Sequence, residues 1–190
     1  SIILNDINRA YSGEKLETET YTSYDLALDN RDALASDAYK NAENYYKSVF
    51  ENKGGSINFY PDKNGPVPTA ETYHREVTEV SVQEVKDFCK KHGITENVFF
   101  ISVFGLTLGK YNFRKDAVFT TIYHGRNDSR LSETVGMLVK TLPVYTDFAG
   151  SLKDGLLAVQ QQLINSMNND IYPFSQISHE FSIKADAMVI

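Results

Sequence analysis

The residue types most suited to catalysis or metal binding here begin with four histidines, His74, His92, His124 and His179. None stands at His-x-x-x-His spacing, which would put two ligands on one helical face, so no helical metal pair is expected. The chain has no Gly-x-Ser-x-Gly elbow, no Walker loop and no dinucleotide-binding glycine fingerprint. Ser, His and Asp are present in numbers, but without such an elbow they do not define a triad. The single Cys89 can neither form a disulfide within the chain nor build a thiolate metal site by itself. It lies among Val82, Val85 and Phe88 at helical spacing and reads as a buried apolar thiol.

His124 is the most suggestive of the four. It ends a strand-like run and precedes Gly125-Arg126, where side chains of α/β sheets often project into sites. The same position also suits a strand-terminal His whose ring bonds a nearby backbone group. For His74 and His92 solvated or helix-end roles are expected, a His near a helix C-terminus being favoured by the dipole.

Composition narrows the partners. A net charge of −6, with no Lys/Arg run longer than Lys90-Lys91, argues against a nucleic-acid or anionic-membrane surface. At 42% hydrophobic and 23% charged, the 190 residues have the composition of one globular domain, not a disordered chain. Twelve Tyr and 11 Phe against no Trp favour half-buried rings with wet hydroxyls. The most apolar run, residues 98–108, is about half the roughly 20 residues a membrane span needs. Ser1 opens directly into Ile2-Ile3-Leu4 without a basic leader region, so a cytoplasmic setting is the expectation.

The elements that must position these groups follow from periodicity. Ile3, Ile7 and Ala10-Tyr11 predict a helix stopping at Gly13, with Ser1 available as its N-cap. A helix opening at the first residue suggests that more chain precedes it. Leu26, Leu34, Ala38, Ala42, Tyr45-Tyr46 and Val49 predict a helical stripe broken near Asp29-Asn30. The Gly- and Pro-rich residues 52–72 read as a long surface connection. Residues 73–80 read as a strand. Ser81 with Glu84 forms a capping box for a helix ending near Gly93. Thr95 caps the next helix, which is apolar on nearly all faces and expected to be buried, with Gly105 and Gly109 permitting close backbone approach. Residues 117–123 and 137–148 are strands, the second at an edge or bulge because of Pro143. Ser151 and Asp154 cap an amphipathic helix through Leu156, Val159, Leu163 and Met167. The alternation predicts one α/β domain over residues 1–190, an α+β mixed sheet flanked by helices.

With these elements placed, ordered stretches resemble the condensation domains of non-ribosomal peptide synthetases, members of the chloramphenicol acetyltransferase-like superfamily. Tyr21-Thr22-Ser23-Tyr24 and the helix after it resemble the family's YxDYA segment. Gly125-Arg126, Val135-Gly136 and Thr141-Leu142-Pro143-Val144 resemble its GR…VGxFvNTLPlR block. Asn169-Asp170-Ile171-Tyr172-Pro173-Phe174 resembles HQDYPFe. Ser23 stands where an acid is usual and Lys140 where Asn is usual, and Asp170-Ile171 replace Gln-Asp.

The resemblance implies a partial C-terminal lobe of a two-lobed enzyme. The family's HHxxxDG motif lies just before a helix resembling Ser1 to Tyr11, so no catalytic residue is expected in this chain. The fragment alone would then be inactive. In the intact family a His assists attack of an acceptor amine on a donor thioester, forming an amide. No cofactor is implied on the lobe itself. Phosphopantetheine arrives on peptidyl and aminoacyl carrier proteins, and the other partners are the N-terminal lobe and a neighbouring adenylation domain. Arg126, with Gly125 and Gly136, would support the lobe junction, Arg126 pairing with the motif's Asp; a local role on backbone carbonyls is the alternative. His124, Thr141 and Tyr172 are the tunnel-lining candidates, and Pro173-Phe174 a helix-start wedge. Two alternatives share the resemblance: a lobe of a coenzyme-A-dependent acyltransferase or epimerisation domain, and a non-catalytic carrier-docking module.

Overall fold

The computed structural model describes residues 2–51, 53, 70–184 and 186–190. Three helices come first: α1 (Ile2–Tyr11), α2 (Ser23–Ala33) and α3 (Asp37–Phe50). Then follow α4 (Val82–His92), α5 (Glu96–Tyr111), β1 (Asp116–Tyr123), β2 (Lys140–Asp147), α6 (Leu152–Asn168), α7 (Phe174–Phe181) and β3 (Met188–Val189). A single 3-10 turn, Ser129–Leu131, interrupts the β1–β2 connection.

The described strands form a mixed sheet in the order β2-β1-β3. β1 and β2 are antiparallel from Asp116↔Asp147 to Tyr123↔Lys140, while β3 joins β1 in parallel at Thr120↔Met188. Pro143 cannot donate to a ladder, and it sits on β2, an edge strand among the described residues. β1 is covered on both faces, which is why its sequence is a nearly unbroken apolar and Thr run. Alternate side chains go to opposite sides. Ala117 and Phe119 pack with Ile101, Leu108, Val159 and Leu163 beneath α5 and α6. Val118 packs with Tyr46, Phe50, Tyr172 and Ile177 beneath α3 and α7. Cys89 is buried in the first of these clusters, and burial pushes its thiol pKa up.

Local chemistry sets the boundaries. Gly13 follows α1 at φ 76, and Gly93 ends α4 at φ 68. The Ser81–Glu84 capping box closes the start of α4, and Thr95 and Ser151 cap α5 and α6. Gly105 lets α5 lie directly on β2, since a Cβ there would come 2.5 Å from Thr146 Oγ1.

Four expectations change. The helix break falls between Ala33 and Asp37, not at Asp29-Asn30. Ser36 accepts the Tyr39 N–H and donates to the Ala33 carbonyl, whereas Asp29 turns outward to Tyr21 and Arg130. Residues 73–80 are an exposed irregular segment with no strand partner among the described residues, so their alternation has no face to bury. α5 buries one side only: Phe100 and Val103 remain 55% and 44% exposed. β2 begins at Lys140, three residues late: its pairing with β1 stops at Tyr123↔Lys140, and just before it the Leu138 carbonyl lies over Gly125. Ser1 and most of the connection at 52–72 lie outside the described residues.

Candidate functional site

Three of the residues singled out in the sequence, His124, Gly125 and Arg126, follow directly on the end of β1. Gly125 turns the chain at φ 67, and a Cβ there would lie 2.0 Å from the Leu138 carbonyl oxygen, so glycine is required. The Arg126 N–H donates to His124 Nδ1 at 3.0 Å. His124 therefore holds a nearby backbone group, as the plainer of its two readings has it. Arg126 Nη1 donates to the Leu131 carbonyl and, at 3.1 Å, to the Thr134 carbonyl, folding the loop around its own guanidinium. The Tyr123 hydroxyl donates to Asn127 Oδ1 within the same turn.

This loop is fastened to the segment preceding α2. Thr134, fully buried, donates to the Tyr21 carbonyl at 2.7 Å, and the Val135 N–H donates to Glu19 Oε1 at 2.9 Å. Gly136 packs on Ser23, where a Cβ would come within 3.0 Å of the serine Cβ. Arg130 stacks over the Tyr21 ring at 4.4 Å and pairs with Asp128 at 2.7 Å and Asp29 at 3.1 Å. The guanidinium holds the Asp128 carboxyl below the ordinary Asp range. Sequence reasoning passed over Thr134 and Arg130; only their place inside the loop between two matched motifs marked them.

Several openings lie around the loop and β2, and two of them hold the residues singled out in the sequence. One, of about 440 Å³, is lined by Ile2 and Ile3 at the start of α1 together with Arg126, Thr134 and Gly136. Arg126 and the N-terminal end of α1 thus share a recess. The other, of about 500 Å³, brings Thr141 and Tyr172 together with Leu34, Lys140, Asp170 and Phe174. His124 does not line it. Lys140 Nζ sits 2.9 Å from Asp170 Oδ1 and donates to the Asp170 carbonyl at 3.2 Å, so two residues that depart from the family motifs form one pair. Tyr172 is buried, stacked near Tyr46 and tilted against Tyr39, and donates to Glu180 Oε2 at 2.7 Å. Burial and that carboxylate push its pKa up. Pro173 occupies the N-cap of α7 without a side-chain bond, consistent with a wedge at the helix start. No group of three or more His, Cys, Asp or Glu among the described residues could hold a metal. None of the described helices is long and apolar enough to cross a membrane.

A mixed sheet covered on both faces by helices, with a glycine-arginine turn at the end of its central strand, defines a layered α/β scaffold. The profile of the Condensation domain family matches residues 1–189, and the chain belongs to that family. Gramicidin S synthase 2 of Aneurinibacillus migulanus is 25% identical over 193 residues, covering 97% of this chain and 4% of that protein. Surfactin synthase subunit 1 of Bacillus subtilis (strain 168) is 24% identical over 192 residues, covering 97% of this chain and 5% of that protein. The chain therefore spans only a small part of these relatives. Among solved structures, SgcC5 from Streptomyces globisporus superposes with a TM-score of 0.76 at 18% identity, over 98% of this chain and 43% of that one. The first condensation domain of the calcium-dependent antibiotic synthetase gives 0.69 at 12% identity, over 95% and 43%. The fold is the condensation-domain fold.

Proposed function

We propose that residues 1–190 are one lobe of a two-lobed condensation enzyme of a non-ribosomal peptide synthetase, and that the lobe supports amide formation without carrying the catalytic base. In that reaction the acceptor amine attacks the donor thioester carbonyl. A C–N bond forms, the C–S bond breaks, the thiol leaves on the donor carrier and the amine gives up a proton. Both acyl groups ride on phosphopantetheine arms of carrier proteins, loaded by a neighbouring adenylation domain, in the cytoplasm. General-base assistance and positioning come from a His outside this chain.

The observation that carries this reading is the recess shared by Arg126 with Ile2 and Ile3. A motif ending just before α1 would end beside this guanidinium. Nη1 donates to two backbone carbonyls, and among the described residues Nε and Nη2 have no hydrogen-bond partner, so they can meet an aspartate. Both roles weighed for Arg126 are then served by one side chain. Gly125 and Gly136 allow the close backbone approaches that hold it there. Thr141 and Tyr172 contribute to a substrate-facing recess.

The test is the coding sequence upstream of the Ser1 codon. An in-frame His-His-x-x-x-Asp-Gly within a few codons is expected. A native start codon directly before the Ser1 codon would overturn the reading.

A further inference from the structure

The turn that ends α5 is one that glycine ordinarily makes. The Phe113 N–H donates to the Lys110 carbonyl at 3.1 Å, and the Arg114 N–H donates to the Gly109 carbonyl at 2.8 Å. That pair of bonds closes a helix through one left-handed residue, a place glycine takes because a Cβ there is strained. Phe113 occupies it at φ 57. Its side chain is 100% exposed, so no burial offsets either the strain or the wetted ring. Tyr111, on the last turn of α5, is exposed beside it.

The charge around this ring is opposite to that of the chain. Lys110, Arg114 and Lys115 are exposed in the same turn. Asp116 pairs with Arg114, which donates to it from Nε and Nη2. Lys110 and Lys115 have no ion-pair partner among the described residues. Lys53 lies over the Tyr145 ring at 4.9 Å and is near enough to Asp116 to help hold its carboxyl low. Asp116 and Asp147 face each other in the register, and set against these four cations they leave an excess of two positive charges. The whole chain carries −6. The eight residues of β1 put this turn roughly 25 Å from the Gly125–Arg126 turn, so it is separate from the site described above.

We infer that the α5–β1 turn is a docking surface for an acidic segment of a partner protein, with Phe113 as the anchor that enters an apolar socket between the partner's carboxylates. An aromatic anchor supplies apolar area at little cost in side-chain entropy, and Lys110 and Lys115 supply attraction to the acidic rim. A partner protein is favoured over a lipid surface because a chain of this net charge is repelled by anionic headgroups. The inference does not depend on the condensation reading.

The experiment titrates the full-length protein containing this chain against a fluorescent peptide of Glu-Glu-Leu-Leu repeats, read by anisotropy. Peptides of Lys-Lys-Leu-Leu and Glu-Glu-Ser-Ser repeats serve as controls, as do phosphatidylcholine vesicles with and without phosphatidylglycerol. The Glu-Glu-Leu-Leu peptide is expected to bind best, and less tightly as salt rises. Phe113→Gly weakens it by about tenfold or more while the melting temperature stays at or above the parent's, since glycine relieves the positive φ. A merely structural residue would lose stability instead. Phe113→Tyr retains most of the affinity. The double variant Lys110→Gln, Lys115→Gln weakens binding several-fold and flattens its salt dependence. Equal binding by Phe113→Gly, no preference over the two control peptides, or no peptide binding at all overturns the proposal. So does binding to the phosphatidylglycerol vesicles that Phe113→Gly abolishes while peptide binding is unaffected, which makes the turn a lipid contact.

Discussion

The buried hydroxyl of Thr134 donates to the main-chain carbonyl of Tyr21 at 2.7 Å, joining the loop after β1 to the segment that starts α2, 113 residues away in sequence. Thr134→Val keeps the shape and removes the donor, leaving the Tyr21 carbonyl without this partner. A loss of about 1–2 kcal/mol in unfolding free energy is expected. Hydrogen exchange should speed up across residues 124–139 and 19–22 and remain unchanged in α6. Equal acceleration across all elements would mean that the bond is not a local fastening.

Gly125 and Arg126 act through one turn. Gly125→Ala forces a side chain into positive φ and onto the Leu138 carbonyl, at a cost of about 2 kcal/mol or more. Arg126→Ala frees the Leu131 and Thr134 carbonyls and, in the intact enzyme, removes the partner proposed for the motif's Asp. Product formation should fall at least about tenfold, consistent with loss of a charge-assisted bond. A fully active, equally stable Arg126→Ala enzyme would exclude the junction role.

Gly105 and Thr146 should be thermodynamically coupled. Gly105→Ala places a methyl 2.5 Å from Thr146 Oγ1 in a fully buried contact and is expected to cost about 1–3 kcal/mol despite the better helix propensity of alanine. Thr146→Ala opens that space, so the double variant should recover most of the loss, read as a coupling energy in a double-mutant cycle. Additive losses would place the strain elsewhere.

The acid limb of stability should depend on Asp116. Arg114 donates to it from Nε and Nη2 at 2.9 and 2.8 Å, which holds its carboxyl below the ordinary Asp range. A carboxyl depressed in the fold stabilises above the unfolded Asp pKa of about 3.9 and loses that contribution as pH falls through the folded value. The melting temperature of Asp116→Asn should lie below the parent's at pH 7 and converge on it as pH drops below about 4. A gap that persists undiminished at low pH would show that the ion pair is not its cause.

Much of this arrangement was legible in the sequence because local chemistry dictated it. Ser81–Glu84, Thr95, Ser151, Gly13 and Gly93 each satisfy or end a helix by their own side chain or backbone freedom, and each does so in the structure. The run that became β1 was dense enough in Val, Phe, Thr and Ile to declare itself. Residues 73–80 misled because strand pattern cannot show whether a partner strand is present. The outer face of α5 misled in a similar way, since composition tells how apolar a helix is but not what covers it. At the site, the matched motifs drew attention to Gly125, Arg126, Thr141 and Tyr172. The Lys140–Asp170 pair was visible only as two separate departures, because its members stand 30 positions apart with a whole helix between them.

The most direct measurement of the central claim is the amide product formed when the intact enzyme containing this lobe is supplied with a donor thioester on one carrier and an aminoacyl acceptor on the other. The account predicts a product with the mass of the joined chains on the acceptor carrier, and none when the 190-residue chain is supplied alone. Loaded carriers that yield no amide with the intact enzyme, or transfer only to coenzyme A, would contradict it.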